Sequence, residues 1–405
     1  MKIRFLVPLF IFLYSLNINA QYDSYKGLVM AGYQGWFSAP GDGADRGWYH
    51  YTGRDGFKPG SASIDMWPDV SEYDKTYKTE FTFADGSPAY TFSSYDESTV
   101  NTHFRWMKEY GIDGVFVQRF VVEMKNNRSY NQLNKVFRSA ISAANKNERA
   151  VCIMYDLSGM RAGDEKVLID DIDRISSEYD LKDRKKNPSY LFHNGKPLVA
   201  VWGVGFNDNR RYGLKEAETI IDSLTARGFS ILLGAPTYWR EMKRDTVEDP
   251  EFHSIVLKCD IVMPWFVGRY NEKSFPPFKD LVKEDIAWCK EKGIDYVPLA
   301  FPGFSWINMN KNSTPIPRNG GSFFWKQITG YIESGAEMLY IAMFDEIDEA
   351  TAIFKCATEV PTGESTFLAL DKDLGSDHYL WITGLAGKLL RGEIQATGNL
   401  PKRNN

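Results

Sequence analysis

Apolar residues in this chain collect into short runs, and the runs alternate with longer segments at helical spacing. The runs lie at 28–37, 112–120, 150–157, 198–206, 229–238, 260–270, 296–306 and in the stretch 337–349. Runs this short and this apolar predict strands buried on both faces. Between and after them, amphipathic patterning predicts helices over 98–110, 130–146, 164–179, 214–227, 250–258, 278–292, 323–334 and 377–390. Gly111, Gly228, Gly293 and Gly335 sit where those helices should stop, since glycine adopts the left-handed C-cap conformation without strain. Strict alternation of strand and helix means a parallel sheet, and eight units predict closure into a single-domain (β/α)8 (TIM) barrel, an α/β fold.

One connection breaks the rhythm. Between the first strand and the first helix lies an excursion at 38–96, dense in Gly, Pro and aromatic residues and including Gly47-Trp48-Tyr49-His50-Tyr51. A connection that long without secondary structure is usually functional. Its place after a first strand predicts an insertion over the barrel mouth.

The ends of the chain read differently. Lys2 and Arg4 precede an apolar run from Phe5 to Leu16, with Ala20 before Gln21. That pattern predicts a cleavable signal peptide over 1–20, too short for a confident membrane span. No Cys follows the cleavage point, which argues against a lipid anchor. The expectation is a secreted or periplasmic protein, with a barrel domain over 21–395 and a basic, disordered tail over 396–405. Net charge is −5, which excludes nucleic acid and anionic membrane as partners, because like charge repels. Cys152, Cys259, Cys289 and Cys356 lack metal-ligand spacing. Cys152 reads as a small core residue, and Cys259 and Cys289 could meet at one end of a βαβ unit.

Chemistry concentrates in the last run, where Leu339 to Phe344 leads into Asp345-Glu346-Ile347-Asp348-Glu349. A buried parallel strand that delivers carboxylates at its C-terminal end is how (β/α)8 enzymes build active sites. The bland alternative is a solvated acidic turn. The other strand ends are polar and aromatic. They bring Tyr33, Gln34 and Trp36; Gln118 and Arg119; Tyr155 and Asp156; Trp202; Tyr238; Trp265 and Arg269; and Phe304 and Trp306. Flat rings around an acidic pocket suit a carbohydrate better than an apolar ligand. Aromatics make up 15% of the chain, enough to supply both core and mouth.

Cleaving a glycosidic bond needs one carboxylic acid to protonate the departing oxygen and a second carboxylate as base or nucleophile. Glu346 and Glu349 are the natural pair. A helical turn after Phe344 would project both to one side, and mutual repulsion would split their pKa values. Asp156 is the rival from across the barrel, and His50 in the excursion is a further candidate for substrate contact. No Walker A, Rossmann glycine, HExxH or Gly-x-Ser-x-Gly pattern competes, so no cofactor or metal is expected. The acidic cluster lacks EF-hand spacing for Ca²⁺.

At three places the chain resembles the glycoside hydrolase family 99 endo-α-mannosidases and their family 71 relatives, in the form of the 71/99-like group. Asp345-Glu346-Ile347-Asp348-Glu349 is similar to the family 99 Asn-Glu-Trp-His-Glu motif. Pro302-Gly303-Phe304, with Arg318-Asn319-Gly320-Gly321-Ser322-Phe323-Phe324, resembles its PGY…R-x-NG-x-YY segment. Tyr379-Leu380-Trp381-Ile382-Thr383 is similar to its closing Tyr-Leu-x-x-Thr. The resemblance implies that Glu346 takes the proton of the sugar 2-hydroxyl, so that this oxygen attacks C1 and forms a 1,2-anhydro sugar. It implies that Glu349 protonates the leaving group and later activates water, and it adds Arg318 to the substrate-facing set. Positions 347 and 348 carry Ile and Asp where the motif has Trp and His, which changes the chemistry shown to the sugar.

The expected function is therefore an exported retaining glycoside hydrolase acting on α-glycosidic bonds of a polysaccharide or glycan. The alternative is a non-catalytic carbohydrate-binding barrel for glycan capture. Catalysis is assigned to Glu346 and Glu349, and substrate contact to Tyr33, Gln34, Trp36, His50, Arg119, Asp156, Trp202, Tyr238, Trp265, Arg269, Trp306 and Arg318.

Overall fold

A computed structural model describes residues 22–403; the expected signal peptide lies outside the described residues. Eight parallel strand positions make one barrel: β1 Val29–Tyr33, β2 Gly114–Phe120, β3 Ala150–Asp156, β4 Lys196–Trp202, β5 Ser230–Ala235, β6 Ile261–Pro264, a divided β7, and β8 Leu339–Ile341. Neighbours pair in chain order, and β8 returns to β1 with Val29 opposite Leu339. In β7 the piece Asp295–Tyr296 pairs with β6 and the piece Leu299–Ala300 pairs with β8. Pro298 between them has no N–H to give the ladder. The ring still closes there, because Val297 N donates to Val262 O at 3.0 Å and Tyr340 N to Pro298 O at 3.1 Å.

Helices α1 Glu97–Tyr110, α2 Asn127–Asn147, α3 Glu165–Glu178, α4 Leu214–Ala226, α5 Glu251–Val256, α6 Pro276–Lys292, α7 Ser322–Glu333 and α8 His378–Leu390 follow the eight strands in turn. Their ends obey local chemistry. Asn126 caps α2 by accepting from Arg128 N and Ser129 N, and Gly111 ends α1 in the left-handed region at φ 76°.

The strands are shorter than the apolar runs that predict them. Residues 265–270 and 301–306 extend past β6 and β7 as loops at the mouth, where the rings of Phe266, Tyr270 and Phe301 are buried. Burial continues beyond the ladder, so hydrophobicity alone overestimates strand length. Inside the barrel the side chains are tightly layered. A Cβ on Gly32 would lie 2.2 Å from Met343 Cε and 2.3 Å from the Tyr340 hydroxyl, so β1 needs glycine at that layer.

The excursion packs over the C-terminal face as part of the same domain. It contains a two-stranded hairpin, Tyr77–Thr82 with Pro88–Thr91, and a buried ring cluster that includes Tyr51, Phe57, Trp67, Phe81 and Phe92. The Asp65 carboxylate accepts from Ile307 N at 2.7 Å and Asn308 N at 2.9 Å, while Asp65 N and Met66 N donate to Ile347 O. These bonds clamp the insertion to the loops that leave β7 and β8.

One expectation needs correction. All four cysteines are buried free thiols, so Cys259 and Cys289 do not pair. The described part of the tail touches the barrel. Arg403 makes a two-pronged ion pair with Asp377 at 2.6 and 2.7 Å, and Trp325 Nε1 donates to Thr397 O.

Candidate active site

The acidic stretch leaves β8 and is locked to the end of β1. Phe344 N donates to Gly32 O at 2.7 Å, and the Asp345 carboxylate accepts from Gln34 N and Gly35 N, both at 2.8 Å. A turn over 347–350 follows, with Ala350 in the left-handed region at φ 52°. Thr351 N and Ala352 N then return to Glu346 O, each at 3.1 Å. The expected helical turn is thus a tight non-helical one, yet Glu346 and Glu349 line one cleft of about 440 Å³.

The two glutamates sit in different surroundings. Glu346 is buried and held at both oxygens: Gln34 Nε2 donates to Oε1 at 2.7 Å and Thr351 Oγ1 to Oε2 at 2.9 Å. Burial drives its pKa well above the ordinary carboxylate value, and the charges of Glu349 and Asp348 add to this; the Thr351 and Gln34 donors pull the other way. Glu349 keeps a face open to the cleft, although protein packs densely around its carboxyl. Burial, with the Asp348 charge second, pushes it up to about 8, opposed by the Trp306 indole. Burial also lifts Asp345 to about 7 despite its two backbone donors. At neutral pH this corner therefore keeps protons that exposed carboxyls would lose.

Of the candidate substrate residues, Gln34, Trp36, Asp156, Trp202, Trp265, Arg269 and Trp306 line the same cleft. Trp202 and Trp265 meet edge to face at 5.3 Å, and Trp306 is 40% exposed at the rim. Asp156 faces the glutamates from β3, accepts from Ser158 N at 2.7 Å, and is raised to about 6 by burial. Arg269 pairs with Asp245 at 3.1 Å. Several polar atoms of the wall find no protein partner among the described residues: Gln34 Oε1, Gln118 Oε1, and the indole nitrogens of Trp36 and Trp202.

Five other candidates lie elsewhere. Tyr33 alternates with Gln34 and so points into the core, its hydroxyl 2.8 Å from His103 Nδ1. Arg119 alternates with Gln118 and faces the helical layer, paired with Asp171 of α3 at 2.7 and 2.8 Å and bonded to Asn134 of α2. Tyr238 is held outside the cleft by Arg244, which donates to its hydroxyl at 2.6 Å. His50 stands behind the wall. It stacks on Trp36 at 3.7 Å and 5°, and its Nδ1 is 3.0 Å from Asp348 Oδ2. Arg318 supports the acidic turn, donating to Ala350 O and Ala352 O while stacking on Tyr379 at 3.8 Å.

Gln118, Phe120 and Phe304 join the lining although they were not in the candidate set. Period-two alternation along β2 is the signal for Gln118 and Phe120, since both share a face that excludes Arg119. Thr351, which braces Glu346, has no sequence signal. No group of three or more His, Cys, Asp or Glu side chains among the described residues is arranged to hold a metal ion.

No family model matches the chain, and no curated protein does. Among solved structures, the family 99 endo-α-mannosidase of Bacteroides thetaiotaomicron superimposes with a TM-score of 0.64 at 17% identity, covering 91% of this chain and 99% of that one. The same enzyme in complex with Bis-Tris-propane gives the same score and identity, covering 98% of that chain. Over most of its length the chain is thus similar in fold to a family 99 endo-α-mannosidase.

Proposed function

We propose that the protein is an exported, retaining glycoside hydrolase that cleaves α-glycosidic bonds in a glycan or polysaccharide. The observation that carries this reading is the pair Glu346 and Glu349, in unlike settings, on one ring-lined cleft at the end of β8. The orphan indole donors and amide acceptors of the wall match a polyhydroxy ligand, which offers both kinds of partner. Export rests on the N-terminal sequence pattern, and the α-linkage and retention rest on the resemblance of the acidic motif.

In this reading Glu349, protonated at neutral pH, gives its proton to the departing glycosidic oxygen. Glu346 takes the proton of the sugar 2-hydroxyl as O2 attacks C1, forming a 1,2-anhydro sugar. With Glu349 protonated, its charge no longer raises Glu346, and Gln34 and Thr351 orient that carboxylate and favour its ionised form. Glu349, now a carboxylate, then removes a proton from water as the water oxygen attacks C1. The C1–O2 bond breaks and Glu346 returns its proton to O2. Two inversions at C1 leave the configuration unchanged.

The test compares wild type with Glu346→Gln and Glu349→Gln on α-mannan, α-1,3-glucan and nitrophenyl α-glycosides, following product anomers by NMR. Each variant should lose about two or more orders of magnitude on natural linkages, on the order of 3 kcal/mol of transition-state stabilisation. Glu349→Gln should recover on a nitrophenyl glycoside, which departs without protonation, and Glu346→Gln should not. Turnover of a 2-deoxy substrate would exclude the 2-hydroxyl as nucleophile. Binding without product release across the panel would favour glycan capture instead.

A further inference from the structure

Next to the catalytic cleft runs a second concavity of about 760 Å³, formed by the loops that leave β2, β3 and β4. The two adjoin. Ser158 lines both, and on the β2 side Phe120 lines the cleft while Val122, two residues on, lines the groove. Arg210 links them again, since it lines the groove while its guanidinium lies 5.1 Å from the ring of Trp202, a wall of the cleft. Gly203 makes that approach possible, because a Cβ there would lie 2.6 Å from Arg210 Nη1.

The groove has the opposite charge to the rest of the molecule. Its ionisable lining consists of Lys125, Arg161, Arg210 and Arg211 against Asp164 and Asp208, in a chain whose net charge is −5. Both carboxylates are already committed. Asp164 pairs with Lys125 at 2.7 Å and accepts from Arg161 N, and Asp208 takes Arg210 through both oxygens at 2.8 and 3.0 Å. Arg161 and Arg211 are left exposed, without an ion pair among the described residues.

These two are also held side by side. Their backbones form a parallel bridge, and Ala162 N donates to Arg211 O at 3.0 Å. Bridge partners in adjacent strands stand about 5 Å apart at Cα, so two arginines outside any ion pair among the described residues rise from one wall of the groove. An anion bound between two neighbouring arginines offsets their mutual repulsion, and the guanidinium fork is the side chain best suited to a carboxylate or sulfate.

We propose that this groove is a substrate subsite for an anionic sugar, one bearing a carboxylate or a sulfate ester, in a glycan that continues from the cleft. The assignment rests on the hydrolase reading for the glycan and on Arg161 and Arg211 for the charge. Cleavage would then occur within an extended acidic chain, with the anionic residue bound beyond the ring-lined site.

Calorimetric binding to the full chain tests it with two matched probe pairs: oligogalacturonate against its methyl ester, and chemically sulfated against unsulfated α-manno-oligosaccharide. At low salt, wild type should bind at least one anionic member about tenfold or more tighter than its neutral partner, and added salt should shrink the gap. Which pair shows the gap separates carboxylate from sulfate. Arg161→Gln/Arg211→Gln should lose the gap while neutral binding stays within about twofold. Lys292→Gln/Lys372→Gln, which removes the same net charge from other surfaces, should keep it. No discrimination by wild type, discrimination kept by the arginine variant, or equal loss in the lysine control would each overturn the subsite. Charge-dependent binding without cleavage of any probe would leave the subsite standing and remove the hydrolase reading. Cleavage of a neutral glycan without charge discrimination would do the reverse.

Discussion

Replacing Glu349 with Gln should stabilise the fold at neutral pH, and the size of the gain measures how strongly the site is strained for chemistry. The folded chain holds this proton up to about 8 against an ordinary value of 4.5. The sign follows from proton binding. Between those two values the folded state binds more protons than the unfolded state, so stability falls as pH rises above 4.5 and levels off above the folded value. Realised in full, the shift would cost the wild type about 4 kcal/mol near pH 7.5. Glu349 is partly open to cleft water and titrates together with Glu346, so roughly half of that, ~2 kcal/mol, is the expected cost. An amide cannot ionise, and the variant escapes the cost. For a domain of this length the unfolding entropy is on the order of 0.8 kcal/mol/K, so Tm should rise by about 2–3 °C near pH 7.5. Near pH 4.5 the gain should shrink to about half a degree or less, because the wild-type carboxyl is then protonated in the folded state. Thermal unfolding of both proteins across that range decides the matter. A variant no more stable near neutrality, or one shifted equally at both ends, would refute the claim that burial and Asp348 hold this proton.

The remaining expectations concern side chains outside the cleft. Arg119→Met leaves the Asp171 carboxylate buried without its main partner and should cost about 3 kcal/mol in urea unfolding, with KM unchanged because Arg119 does not reach the cleft. Arg318→Ala removes two bonds to the carbonyls of Ala350 and Ala352 and should lower kcat about tenfold or more through the misplaced acidic turn; Arg318→Lys, which lacks the planar fork, should restore only part of it. His50→Ala takes away the ring behind Trp36 and should weaken oligosaccharide binding by roughly 1 kcal/mol, read by calorimetry as a raised Kd.

Much of this protein is legible in its residues alone. Strand and helix period, the glycine stops, and the position of a ring-rich insertion depend on local patterning, and they lead to the eight-unit barrel with its mouth at the strand ends. The acidic turn after β8 is visible for the same reason, since four carboxylates directly after a buried run stand out in one dimension. What local pattern does not carry is which of the two alternating faces meets the cleft and what stands behind a mouth residue. Tyr33 and Arg119 are polar groups at strand ends, but alternation turns them into the core and the helical layer, while Gln34 and Gln118, one residue away, reach the cleft. The partners that set the chemistry of Glu346 come from β1 and from the turn, through Gln34 and Thr351, and only closure of the ring between β8 and β1 brings Gln34 within 2.7 Å. The roles of His50 and Arg318 as supports, and the pairing of Arg161 with Arg211, likewise depend on contacts between segments far apart in the chain. Those contacts arise from packing and register across the barrel, which no single segment encodes.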